Sequence, residues 1–468
     1  MIAKIRKFQI ILGFASLIYC MANSEIFTSP IWLLPLVYII GVCSCKHNIV
    51  KLTPGVVTIN FLMLLRYVYA PFVYYQSGFI NEMLIDFSHV NDAIYLMLYE
   101  LLFVFVTLEV TGKRMLTYSQ NSNKVYAPQV SSLNTFKNIP ILLGIVLILA
   151  YIGITYKSLG QGLNIFISGS LDEMEEMDDL MGSGQGYINI VWQSLTVWLY
   201  YYVVMKAKNS YDEQHGFISV VIAIVATIVF VILTFIDSTG ITRWYTLVSA
   251  GACFACLVHL FPSYQKHIGV AILLPLVTLM LFASLVKNGG YEKGTSVSSE
   301  SMNAAFGSTN IDVYCNGLGN VNAVFQFVST SHDAGIGCLP YDVMRSMPVV
   351  CHYLPKGKDS SSIFHRAVGR RDQIMPCIGQ SLVYFGFLLS PLISCLLIVL
   401  MRKLDRCFIC DYSFKKYAFA FAAIWVGAII MSLNISLLFM WVYIRLVPFY
   451  LILACTERFT EKKNLTIN

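Results

Sequence analysis

The sequence predicts an all-α integral membrane protein with about twelve transmembrane helices and one large external loop. Three observations carry this. Hydrophobic residues make up 57% of the chain and charged residues only 12%, against about 25% charged in soluble domains. The mean hydropathy is +0.67. The apolar residues fall in continuous runs of ~20, without the strict alternation of a β-barrel strand. In lipid every backbone polar group must be satisfied within its own span, so runs of this kind form helices.

The spans are expected near 8–22, 28–45, 54–75, 91–111, 139–157, 188–206, 216–236, 243–261, 268–287, 375–401, 418–437 and 441–455. Residues 1–287 then hold nine helices and 288–374 form the external loop. Residues 375–468 hold three helices and a cytoplasmic C-terminus. The opening MIAKIRKFQIILGFASLIYCMANS has the layout of a signal peptide, but with so many spans following it reads as an uncleaved first helix. Lysine and arginine set the orientation. With the N-terminus inside, the cytoplasmic side collects Lys4, Arg6, Lys7, Lys46, Lys51, Lys113, Arg114, Lys124, Lys137, Lys206, Lys208, Lys266, Arg402, Lys403, Arg406, Lys415, Lys416, Arg458, Lys462 and Lys463. The short outer loops hold almost none, so both termini are expected in the cytoplasm.

Two outer segments stand apart. Residues 158–187 contain SLDEMEEMDDL, with Asp172, Glu173, Glu175, Glu176, Asp178 and Asp179 in one run. Residues 288–374 far exceed the ~15-residue ceiling of ordinary loops. Their apolar clusters VNAVFQFVST and YDVMRSMPVVCHYLP predict short helices folded against the membrane domain. No internal repeat is visible, which argues against a transporter built from inverted halves.

The net charge of +6 does not point to nucleic acid, because the basic residues are dispersed over the inter-helix loops. Cys20, Cys43, Cys45, Cys253, Cys256, Cys395 and Cys455 lie in apolar runs as small fillers. Cys315, Cys338 and Cys351 fall on the outer side and allow one disulfide, whose pairing the sequence leaves open. Cys407 and Cys410 form a lone CxxC without histidine partners, a poor zinc site. There is no Asp-x-Asp, Walker A or GxSxG sequence, and no metal or cofactor is expected.

Charges inside spans are costly unless paired or hydrated. Arg66 lies nine residues from the outer end of the third span, ~14 Å deep. Glu100 and Glu109 lie in the fourth span and Arg445 in the twelfth. An Arg66–Glu100 pair locking two helices and an arginine lining a cavity open to the outside are equally compatible with this placement. Arg243, in STGITRW, opens a helix at headgroup depth on the outer side. The loop ends in LPKGKDSSSIFHRAVGRRDQ, where Lys356, Lys358, Arg366, Arg370 and Arg371 face only Asp359, with Asp372 at the edge. Arginine takes phosphate bidentately, and His365 beside it is a candidate general base. The competing reading is a solvated basic rim.

RYVYAPFVYYQSG (66–78) and the passage GIGCLPYDVMRSMPVVCHYLP through QSLVYFGFLLSP (335–391) resemble segments of the O-antigen and capsular oligosaccharide repeat-unit polymerases, the Wzy family. The whole layout is also similar. An Arg-x10-Gly motif of some members is missing, and the ligase-type His-Asn is here Asp372-Gln373. The resemblance implies metal-independent, inverting glycosyl transfer at the outer face of the bacterial cytoplasmic membrane. Donor and acceptor would both be glycans on undecaprenyl diphosphate, with membrane lipid and a chain-length regulator protein as further partners. In that scheme Arg243 and Arg371 stabilise the leaving diphosphate and His365 (or His332, or a loop carboxylate) takes the hydroxyl proton. Arg66, Glu100, Arg366 and Arg370 bind substrate. The rival readings are a lipid-linked oligosaccharide flippase and an O-antigen ligase.

Overall fold

The structure, a computed structural model, describes residues 2–78, 80, 88–121, 184–237, 240–241, 243–289, 315–331, 335–345, 347, 350–355, 357–368, 374–410 and 415–452. It is helical throughout except for a two-residue antiparallel ladder, Ile236–Asp237 with Gly240–Ile241. Among the described residues five helices are long and apolar enough to cross a membrane. They are α1 (Ile2–Ala22), α3 (Pro54–Ser77), α4 (Val90–Asn121, apolar to Met115), α6 (Phe217–Phe235) and α15 (Ile435–Ile452). Two bent pairs raise the number to seven if each is one span. One pair is α7 (Arg243–Leu260) with α8 (Gln265–Gly289), bent by 115°. The other is α12 (Cys377–Leu389) with α13 (Leu392–Cys410), bent by 113°. Large apolar side chains such as Ile11, Ile218, Leu274 and Leu388 are more than half exposed, as lipid-facing positions are.

The remaining helices are α2 (Leu33–Ser44), α5 (Gly184–Gln214), α9 (Leu318–Thr330), α10 (Leu339–Met344), α11 (Ser360–Val368) and α14 (Lys416–Ser432). The expected fifth span, the acidic run 172–179 and most of the basic loop 112–137 lie outside the described residues. The expected continuous helix over 375–401 is not continuous. Gly386 has φ +75° and ψ 179°, a conformation open to glycine and costly for other residues. Pro391 then lacks the N–H that would extend the helix.

The helical chain forms two compact units that are not sequential. The first comprises residues 1–125, 303–405 and 423–440, and the second 126–302, 406–422 and 441–468. In the first unit α1 lies on α2, where Gly13 leaves no room for a Cβ beside Ile39, and α2 meets α4 at Gly41 and Phe105. Ser16 on α1 donates to Val68 O on α3 at 2.7 Å. One end of this unit is tied by polar side chains. Asp405 accepts from Thr53 Oγ1 (2.6 Å), Gly55 N (2.9 Å) and Val56 N (3.2 Å), capping the start of α3. Arg402 donates to Asn48 O at 2.6 Å, and Glu109 accepts from the His47 amide at 2.6 Å. Lys113 stands 3.4 Å from Glu109. A Cβ on Gly112 would fall inside the radius of His47 O, a backbone atom that cannot rotate away. Gly112→Ala is therefore expected to cost about 1–3 kcal/mol, read as a lower melting temperature of purified protein. An unchanged melting temperature would remove this close approach from the account.

In the second unit α5, α6, α7 and α8 pack in succession. Tyr200, Phe230 and Tyr417 form an aromatic cluster with centroids 4.6–6.1 Å apart.

Two places in the fold share a cause. Residues Leu65–Tyr69 and Val442–Leu446 are widened turns, closed by Ala70 N to Leu65 O and by Val447 N to Val442 O. Each of these bonds reaches back five residues, one more than in an α-helix. Each turn has a proline two residues past its end, Pro71 or Pro448. Its ring would collide with the carbonyl four residues earlier, and the widened turn moves that carbonyl aside. Each turn also carries a buried arginine, Arg66 or Arg445.

Candidate functional site

The first unit contains a buried polar centre built around breaks in its helices. Helix α14 ends at Ser432 and α15 begins at Ile435. A helix end inside apolar surroundings leaves carbonyls without partners, and here three other chain segments supply them. Met431 O accepts from Arg66 Nη1 (3.3 Å), Ser432 O from Asn316 Nδ2 (2.8 Å) and Leu433 O from the Cys377 amide (3.0 Å). The start of α15 is satisfied in the same way. Ile435 N donates to Gln380 Oε1 at 2.6 Å and Leu437 N to Asn434 Oδ1 at 2.8 Å. Leu318 N, at the head of α9, donates to Tyr74 OH at 3.2 Å. Asn316 holds this corner with φ +47°, a left-handed conformation that asparagine tolerates better than most residues.

Arg66 and Glu100 meet here. Arg66 Nη1 lies 3.1 Å from Glu100 Oε2, with the side chains 1% and 0% exposed. Tyr67 OH donates to Oε2 and Ser394 Oγ to Oε1, both at 3.1 Å. Arg66 Nε and Nη2 have no partner, nor has Ser432 Oγ. Of the two readings of Arg66, the ion pair is realised. The side chain is enclosed among the described residues.

A second cluster joins the described part of the 288–374 stretch to the same unit. Asp342 on α10 is 1% exposed. Its carboxylate accepts from Tyr384 OH on α12, from Ser436 Oγ on α15 (2.9 Å) and from Ser360 N at the head of α11 (3.2 Å). Gln380 Nε2 donates to Ser360 Oγ (3.0 Å) and Ser436 Oγ (3.2 Å). One carboxylate thus gathers three other segments. Burial pushes its pKa up, against the lowering effect of the bonds from Tyr384, Ser360 and Ser436. The native state then holds a proton more readily than the unfolded chain. The contribution to stability is full below the unfolded value of about 3.9 and is lost as pH rises through the folded value. Unfolding of wild type and Asp342→Asn, followed upward from about pH 4, should show a pH-linked fall in wild type that the variant lacks. Identical slopes would mean that Asp342 does not titrate in this range.

The other expected site residues fare differently. His365 sits on α11, partly exposed, with Phe364 buried beside it. Arg366 is exposed and bonds within its own segment, to Gly357 O and to Ser362 O (3.3 Å). Arg345 pairs with Asp359, and Lys358 lies 5.9 Å from the Tyr341 ring. Arg370, Arg371, His332, Lys356 and Asp372 lie outside the described residues. Arg243 begins α7 in the second unit, and its side chain is also outside the description. Arg445 stands in the second unit with its guanidinium 3.5 Å above the Tyr245 ring and bonded to Gln193. Cys315 and Cys338 are buried and Cys407 and Cys410 exposed, none of the four in a disulfide. No cluster fit for a metal ion occurs among the described residues.

Sequence reasoning missed Asp342, Ser360, Gln380, Tyr384 and Ser436. Each looks like an ordinary polar residue of a loop or helix end. The available signal was Gln380 and Ser381, with Ser432, Asn434 and Ser436, standing where an apolar span should begin or end.

Compared with protein-family models, with curated proteins and with solved structures, the chain matches none.

Proposed function

We propose that this protein is a glycosyltransferase of the repeat-unit polymerase kind, acting on lipid-linked oligosaccharides at the outer face of a bacterial cytoplasmic membrane. The reading takes the full twelve spans, both termini cytoplasmic and residues 288–374 external. The observation that carries it is the way Asn316, Asp342 and Ser360 of that long stretch are built into the helix breaks of the first unit. A connecting loop needs no such anchoring. A site that must hold two glycans beside lipid phosphates does need a folded wall at the membrane surface.

The chemistry is a displacement at the anomeric carbon. The acceptor sugar hydroxyl forms the new C–O bond, the bond to the donor's diphosphate breaks, and a base takes the hydroxyl proton. The leaving group gains charge as it departs, so cations fixed nearby lower the barrier. By sequence, Arg243, Arg370 and Arg371 are the cations expected in that role, with Arg66 deeper in its own span. His365 is the base. Asp342, enclosed by its donors, positions the wall and does not touch the acceptor. No nucleotide or metal enters the scheme, and a chain-length regulator is the expected protein partner.

A flippase is the second reading, favoured by the two sharply bent helix pairs and the buried charge pair, which are features of transport folds. A deletion strain decides between them. Lipid anchors carrying one repeat unit identify a polymerase. Anchors with none identify a flippase, and polymer left unattached identifies a ligase.

A further inference from the structure

The guanidinium of Arg66 has a used side and an unused edge. Nη1 is taken by Glu100 Oε2 at 3.1 Å and Met431 O at 3.3 Å. Nε and Nη2 have no acceptor, although the side chain is 1% exposed. These two nitrogens form the fork that receives both oxygens of a phosphate, sulfate or carboxylate. A buried charged donor left without an acceptor is costly, so the edge calls for a ligand. The surroundings suit an anion. The heads of α9, α12 and α15 converge on this unit's breaks, and helix N-termini carry partial positive charge. Ser432 Oγ, next along the chain from the carbonyl that Arg66 touches, is a further unpartnered donor.

We propose that the free fork of Arg66 is a buried oxyanion site, and that filling it brings a proton from solvent onto Glu100. The second half follows from charge. Glu100 is faced by Arg66 and Tyr67 from α3, Cys377 from α12, and Ser394 and Cys395 from α13. Arg66 is faced in addition by Tyr74 and Cys315. Free thiols and phenols ordinarily titrate near 8.5 and 10, so they carry no charge at pH 7. The cluster therefore holds one cation and one anion. An arriving oxyanion leaves two negative groups on one guanidinium in a low-dielectric interior, the arrangement that drives a carboxylate to protonate. The Glu100 hydroxyl so formed needs one acceptor, so one of the Tyr67 and Ser394 hydroxyls that now donate to it reverses its role while the other goes on donating. Under the polymerase reading the oxyanion is a phosphate of the lipid carrier. The site itself does not require that reading.

The test uses the full chain in lipid nanodiscs with two probes that do not titrate near neutral pH: sulfate, and a polyprenyl diphosphate linked to a sugar. Dissociation constants are measured between about pH 5.5 and 8. Wild type should bind more tightly as pH falls, approaching about tenfold per pH unit for one coupled proton. Glu100→Gln keeps acceptor and donor atoms toward its neighbours, so it should fold, bind tightly at all pH values and lose the slope. Arg66→Lys keeps the charge without the fork and should lose about tenfold or more. Binding of both probes marks a general oxyanion site, and binding of the lipid alone marks a headgroup site; either supports the proposal. A flat wild-type profile, or Arg66→Lys binding like wild type, overturns it. The same preparation is assayed for polymerisation. Polymer formed without Arg66-dependent binding sinks this inference and leaves the polymerase reading standing, and proton-linked binding without polymer does the reverse.

Discussion

Arg66→Ala is expected to be the most destabilising single change in the first unit, at about 3–5 kcal/mol, because it strands Glu100 as a buried charge without a cation. Glu100 would keep its bonds from Tyr67 and Ser394, but hydroxyls do not neutralise it. The variant also strips Met431 O of its donor at the end of α14. Arg66→Met combined with Glu100→Gln removes both charges while keeping volume, so it should recover most of the loss. Coupling of this kind is the mark of a direct pair. Melting temperatures and membrane yields of Arg66→Met, Glu100→Gln and the double variant measure it. If Arg66→Ala melts with wild type, or if the double variant is the sum of the singles, the pair does not organise the unit. Activity should not return with stability in the double variant, since the fork is gone.

This pair also shows how far the sequence could be read. Arg66 in one apolar run and Glu100 in the next are each costly to leave unpaired, so their meeting was legible as one of two readings of the sequence. Met431 was not, being 365 residues from Arg66 and offering only a backbone carbonyl. The widened turn under Arg66 was legible in principle from Pro71, and the same rule serves Arg445 with Pro448. The run 375–401 illustrates the opposite case. Its apolar composition hides a turn of 113°, because hydropathy averages over Gly386, Ser390 and Pro391 instead of weighing them. Asp342 illustrates a third. Its importance comes from Ser360, Tyr384 and Ser436 arriving at one point, and no local pattern encodes a convergence of distant segments. The basic residues at the end of the long stretch were easy to see and divide in two. Arg345 and Arg366 are committed to neighbours in their own segment, while Arg370 and Arg371 lie outside the described residues.

That division sharpens the expected result for the surface arginines. An Arg–phosphate contact that tightens as the leaving diphosphate gains charge is worth ~2–4 kcal/mol, or roughly a hundred- to thousandfold in rate. The paired Arg370→Ala, Arg371→Ala variant should fall in that range, and Arg243→Ala likewise. Arg243→Lys should recover part of the rate only, because a point charge cannot reproduce the two-pronged contact. Arg366→Ala should lose far less, since its guanidinium already bonds to Gly357 O and Ser362 O. Arg366→Ala removes no partner from the buried centre, so its folding should be unaffected, in contrast to Arg66→Ala. The assay is polymerisation by purified protein from lipid-linked repeat units, with melting temperature as the control. Near wild-type rates for both Arg243→Ala and the Arg370, Arg371 pair would make these residues interfacial anchors. The leaving group would then have to be met at Arg66, where Nε and Nη2 are without a partner.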